Sequence, residues 1–245
     1  DINSTIRVFS IHSLLFALSD YIDHGNISDC VIQLLCNTLI NAKESDDIDI
    51  NDSDIYNVGI NQVRGNAGYK LVRCARHQQY KDLIFSTIEN VAETASVCTR
   101  SAILLNLAIL NSLDKDRNVK LFKKLMHDYD ARLLSMPVHN YNPLVYFINY
   151  AVEELVDFFV RALECPKCYK ELVKVLWLAW IHNEKDARIK EILDRMCSTN
   201  QEARISLLKF LCSSKMGYKE EIIEYILLFM KEEYDSPEMG RECDD

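Results

Sequence analysis

Cys165 and Cys168 form the single CxxC of the chain. Two thiolates at that spacing can hold one side of a tetrahedral zinc ion, but the ion needs two more ligands, and no second pair repeats the spacing. His182, Cys197 or Cys212 could close such a site only through the fold. A dithiol oxidoreductase would set its CxxC beside a βαβ pattern, which does not surround this one. The expectation is that Pro166 starts a helix, that both cysteines pack, and that the chain holds neither metal nor cofactor.

Glu153, Glu154 and Asp157 bring three carboxylates onto related positions of one helix. General acid and base work needs two carboxylates facing each other across a cleft with separated pKa values, and a single helix face does not provide that. The histidines at 12, 24, 77, 127, 139 and 182 form no HExxH and no Ser/His/Asp grouping. The chain also lacks the GxxxxGK[ST] loop whose backbone amides cradle a triphosphate. These absences set the expectation of a non-enzymatic chain.

Two groups of residues point to binding instead. Lys70, Arg73 and Arg76 recur at helical spacing near Tyr69 and Tyr80, a pattern that could track phosphates and stack bases. The connection 131–142 carries His139, Asn140 and Tyr141, amide and aromatic groups suited to polar contact around a rigid anchor. The charge balance weighs against nucleic acid. The formal charge of −9 is concentrated in 44–54, with six acids and no bases, and in 232–245, with seven acids and one Arg. Setting both aside leaves 24 acids against 27 bases, a body only weakly basic.

These groups need elements to hold them, and the 245 residues read as all-α. Six Gly and four Pro are few for a protein of tight β-turns, and the apolar stretches outrun ordinary strands. No apolar run reaches the roughly 18 to 20 residues of a membrane span, and no secretory leader pattern opens the chain. Nine cysteines, most in apolar stretches (Cys30, Cys36, Cys74, Cys98, Cys197, Cys212), fit a reducing cytoplasm better than a disulfide framework. The periodicity predicts a first hairpin over 1–43, with Ser28 and Asp29 offering caps to its second helix, then an acidic loop over 44–59. Helical pairs follow over 60–234 and an acidic tail over 235–245. Pair starts near 61, 96, 143, 166 and 200 lie about 35, 47, 23 and 34 residues apart, the range of degenerate helical repeats. Val173, Leu176, Trp177 and Trp180 make a stripe that needs neighbours. An α-solenoid of stacked, HEAT- or armadillo-like hairpins is therefore expected.

The first of these pairs opens on Ile60, Asn61, Gln62, Val63, Arg64 and Gly65. Asn61 is placed to cap a helix reaching about His77. Arg64, a cation in a first turn, is expected to reach an acid or carbonyl of the previous hairpin. Gly65, Ala67 and Gly68 are small residues suited to close backbone contact. The run INQVRGNAGYKLV resembles the INSVRG opening of a HEAT-like region near the C-terminus of large bacterial proteins with a STAND or NACHT-type nucleotide-binding module upstream. Gln62 stands where that motif has Ser, and beyond the motif the likeness, over about 60–234, is one of degenerate hairpins. In that family the helical array senses a viral protein and triggers oligomerisation of the nucleotide-binding module. The resemblance implies a protein-binding sensor piece of an antiviral STAND NTPase, oligomerising through other parts of a longer chain. The start at Asp1 without Met fits that expectation. The alternatives are a nucleic-acid-binding helical array and a general protein–protein scaffold.

Overall fold

The computed structural model describes residues 2–25, 27–44, 54–136, 143–213 and 219–231. Among them there is no strand: the protein is all-α. No helix among the described residues is long and apolar enough to cross a membrane. The chain divides into two compact units, residues 1–154 and 155–245. The boundary falls inside the 60–234 stretch that periodicity treats as one array.

The first unit contains α1 (Ile2–Asp23), α2 (Asp29–Asn41), α3 (Ile55–Asn61), α4 (Val63–Arg73), α5 (Lys81–Val91), α6 (Val97–Asn106), α7 (Lys115–Leu125), α8 (Ala131–Leu134) and α9 (Leu144–Phe147). At its centre α4 packs on α1, α2, α3 and α6. That crowding requires small residues, and glycines supply them. A Cβ on Gly59 would stand 2.0 Å from the Cys98 carbonyl oxygen, one on Gly65 2.2 Å from the Gly59 oxygen, and one on Gly68 2.7 Å from Cγ1 of Ile103. Gly65, read as a close-packing point, thus sits where backbones touch, whereas Gly68 meets side-chain carbons.

The corner before α4 differs from the sequence expectation. Asn61 does not cap α4; it ends α3, a helix that starts at Ile55 inside the stretch read as loop. Gln62, in extended conformation (ψ 145°), closes one helix and opens the next. Two side-chain hydrogen bonds support the bend. The Asn66 amide donates to the Ile60 carbonyl (2.6 Å), an oxygen that a continuous helix would have bonded internally, and the Asn61 amide adds a bond to the Asn57 carbonyl (2.8 Å). The bend also lets Gly65 return onto Gly59. Ser28 stands at the N-cap of α2 but forms no side-chain capping bond. Ser96 and Asp114 do cap, accepting from the Thr99 and Arg117 amides at 3.3 and 3.0 Å.

Helix α10 (Val152–Ala162) spans the division, and the second unit continues with α11 (Tyr169–His182), α12 (Ala187–Thr199), α13 (Gln201–Ser213) and α14 (Lys219–Lys231). Helix α11 packs on α12 and α13, and α14 on α13. The Val173, Leu176, Trp177 and Trp180 stripe is buried, as its spacing requires. Trp177 meets Phe210 edge to face at 6.0 Å. The α11–α12 turn puts Glu184 and Lys185 in the left-handed region (φ 51° and 60°), which L-residues rarely adopt. The Lys185 amide bonds the Trp180 carbonyl (3.0 Å), and Asp186 caps α12 through the Arg188 amide (2.8 Å). Nearby, the Lys190 ammonium lies 5.6 and 5.2 Å from the Trp180 and Tyr225 ring centres and 2.8 Å from Asp194. Its charge is held by two π-faces and a carboxylate.

Candidate functional site

Arg64 leaves the first turn of α4 and meets two partners at once. Its Nε donates to the Leu39 carbonyl (2.8 Å), and its guanidinium pairs with Glu44 (3.0 Å). Glu44 in turn accepts from the Ser96 amide through both oxygens (2.9 and 3.0 Å). One carboxylate therefore joins the end of α2, the start of α4 and the positive end of α6. This is the reach to an acid and a carbonyl that an arginine in that position calls for. It makes Arg64 a tether, as it makes Gly65 a contact point.

The basic stripe does not form a continuous exposed face. Lys70 is only 3% exposed, and its ammonium donates to the Ser19 hydroxyl. Arg73 is half-buried, 5.4 Å from the Tyr69 ring centre and bonded to its hydroxyl (3.2 Å). Arg76 alone of the three is exposed. The Tyr80 hydroxyl donates to Asp29 (2.5 Å), a bond that raises its pKa. Periodicity put Lys70 on a face related to Arg73 and Arg76. It could not show that α1 would cover that face.

The remaining chemical candidates are dispersed. Glu153, Glu154 and Asp157 lie on the exposed side of α10, whose other side buries Leu155, Phe158 and Phe159. His12 bonds the Asn61 carbonyl (2.9 Å), His24 the Asp20 carbonyl (2.6 Å) and His127 the Lys124 carbonyl (3.0 Å). Among the described residues, no three His, Cys, Asp or Glu side chains converge as metal ligands. Pro166 does open a helical turn, the 3₁₀ segment Pro166–Cys168. Cys168 is buried and Cys165 partly exposed; of the cysteines placed in apolar stretches, Cys30 and Cys212 are exposed.

An arginine inside α6 was missed. Arg100, 4% exposed, bonds both oxygens of Asp128 (2.8 and 2.6 Å) and the Leu125 carbonyl (2.8 Å). Burial works against the Asp128 carboxylate, but the guanidinium outweighs it and holds the pKa below its usual value. A polar cleft of about 400 Å³ runs along this pair, lined also by Glu44, Ser96, His127 and Arg132. Its strongest charges pair within the wall: Arg100 with Asp128, Arg132 with Asp130 (2.7 Å) and Glu44 with Arg64. The available signal was a lone Arg within an apolar helical run, which has no place to go except to a buried acid or carbonyl.

His139, Asn140 and Tyr141 lie outside the described residues. Directly after them the chain presents two tyrosines, Tyr146 (58% exposed) and Tyr150 (37%). Tyr150 is fixed from three sides. Its ring meets Phe147 edge to face at 6.0 Å, its hydroxyl donates to Asn111 Oδ1 (2.7 Å), and the Lys115 ammonium lies 5.2 Å from its ring centre. Burial, reinforced by Asp116, pushes its pKa up to about 12, so it stays a neutral donor. Phe147 itself meets Phe122 in α7 edge to face at 5.5 Å. Tyr150 is thereby pre-ordered on a packed base, beside the exposed ring of Tyr146. No family model, curated protein or solved structure matches the chain.

Proposed function

We propose that the chain is a non-enzymatic protein-binding module, that its hairpins are degenerate HEAT-like repeats, and that it is the sensor part of a larger cytoplasmic bacterial STAND-type NTPase that recognises a phage protein. The sensor role rests on the INQVRG resemblance. The binding role rests on one observation, the Tyr146 and Tyr150 step. Tyr150 is held rigid and loses little entropy on association, Tyr146 adds an exposed ring beside it, and aromatic anchors dominate protein interfaces. The neighbouring connection with His139, Asn140 and Tyr141 would supply the adaptable rim. The nucleic-acid alternative is weaker because Lys70 is buried and Arg73 is engaged with Tyr69.

The test is to recover the chain from phage-infected cells, identify the bound protein, and measure its affinity for the wild type and for Tyr146→Ala. Tyr146 is mostly exposed, so the variant should fold normally. An anchor of this type should cost about 2 kcal/mol, roughly a 30-fold rise in Kd. An unchanged Kd would remove this surface from the interface. Recovery of nucleic acid with steeply salt-dependent affinity would favour the alternative.

A further inference from the structure

We propose that Cys165 and Cys168 are a redox-active thiol pair that closes to an intramolecular disulfide by exchange with a small-molecule disulfide such as oxidised glutathione. The geometry carries this. The Cys168 amide donates to the Cys165 carbonyl (3.1 Å), closing one tight turn between α10 and α11. A turn of that kind keeps its first and fourth Cα atoms within about 7 Å, and disulfides bridge Cα atoms roughly 4.4 to 6.8 Å apart. Cys165 precedes the turn with non-helical backbone (φ −122°, ψ 82°), so its side chain is not confined to a helical rotamer.

Their surroundings divide the roles. Cys165 is partly exposed and meets the oxidant first; Cys168 is buried, and its Sγ–H faces the Cys165 and Ala162 carbonyls at 2.9 and 3.5 Å. Burial pushes the Cys168 thiol up, which keeps it a poor target for external reagents. In the first step the Cys165 thiolate attacks one glutathione sulfur, forming a mixed disulfide and releasing one glutathione thiolate. In the second, Cys168 gives up its proton and its sulfur attacks the Cys165 sulfur, expelling the second thiolate. The two protein thiols are oxidised and one oxidised glutathione is reduced to two thiols. Proximity offsets the raised pKa of Cys168 in this step. Closure abolishes the Cys168 S–H donor, so the Ala162 carbonyl at the end of α10 keeps only the Cys165 amide (3.0 Å). The redox state is thereby written into the α10–α11 corner.

Trypsin tests this directly, because Lys167 separates the two cysteines. After treatment of the intact chain with oxidised glutathione, peptides 162–167 and 168–170 should emerge as one disulfide-linked species, lighter than the two reduced peptides by two hydrogens and split by reductant. Exposed Cys30, carrying glutathione, shows that the oxidant acted. Cys168→Ala should stop at a stable Cys165–glutathione adduct, and Cys165→Ser should leave Cys168 as a thiol. Should wild-type Cys165 be recovered as a lasting glutathione adduct, or both cysteines as thiols while Cys30 is modified, the proposal is overturned.

Discussion

Replacing Gly59 by Ala sets two effects of opposite sign against each other, and the structure decides between them. Helix propensity alone predicts a gain of about 0.5 to 1 kcal/mol, because Gly loses more backbone freedom on folding. The new methyl, however, would lie 2.0 Å from the Cys98 oxygen and 2.9 Å from its carbonyl carbon. Neither atom can rotate away. Cys98 lies in the first turn of α6, whose start is fixed by the Ser96 cap and by Glu44, and its oxygen also accepts from the Ser101 hydroxyl (2.8 Å). To relieve the clash, α3 must move off α6 by on the order of 1 Å, opening dispersion contacts across a tightly packed crossing. Overpacking of this kind costs about 1 to 3 kcal/mol, the upper end applying where backbone must shift, so after the propensity gain the net loss should be about 2 kcal/mol.

For a unit of this size that is a fall in Tm of roughly 4 to 8 °C, read by far-UV circular dichroism with urea titration as a second measure. Gly65→Ala faces the Gly59 oxygen at 2.2 Å and should lose as much. Gly68→Ala meets side-chain carbons of Ile103 at 2.7 and 3.1 Å, which can adjust, and should lose about 1 kcal/mol. A Gly59→Ala chain melting at or above the wild type would refute the reasoning, as would a Gly68 variant less stable than the other two.

Asp128→Asn leaves buried Arg100 without its countercharge and should cost about 1 to 3 kcal/mol at pH 7. Because the folded pKa of Asp128 is lowered, its stabilisation is complete above the unfolded value near about pH 4 and is lost as pH falls through the folded value. The variant should therefore show a flatter acid limb in stability against pH, and an unaltered limb would contradict this. Arg117 bonds Glu89 through two nitrogens (2.7 and 2.8 Å) and lies 4.7 Å from the Phe85 ring centre, joining α7 to α5. A double-mutant cycle of Arg117→Met and Glu89→Gln should return a coupling of about 1 kcal/mol, reduced in 1 M salt. Trp177→Ala removes a fully buried ring from the second unit and should cost about 3 to 5 kcal/mol in urea titrations.

How much of this was legible depended on whether a residue answers to its chain neighbours or to distant ones. Helices α12 and α13 follow from apolar spacing of 3.6, since each buries one face and its sequence records which, whereas α11 is buried all round from Val175 to Trp180. The bend at Gln62 was not legible, because propensity allows one helix across 55–73; only the meeting of Gly59, Gly65 and Cys98 selects two. The same applies to Lys70 and Arg100. Both stand in helices as expected, but their burial is set by Ser19, 51 residues away, and by Asp128, 28 residues away.

Arg64 shows the converse case. Its place in a first turn, where a lone cation is unfavourable, already demanded a compensating acid or carbonyl. What the sequence could not show is that Glu44, the first residue of the acidic stretch 44–54, supplies the acid and carries the connection on to α6. The charge of that stretch is therefore not wholly solvated, because its first carboxylate joins α2, α4 and α6. Neutralising Glu44 should accordingly weaken all three junctions together. Glu44→Gln should increase amide hydrogen exchange at Ser96 and in the first turn of α4, whereas Asp54→Asn, at the other end of the stretch, should leave both unchanged. Equal effects from the two substitutions would mean that bulk charge, and not this one carboxylate, stabilises the unit.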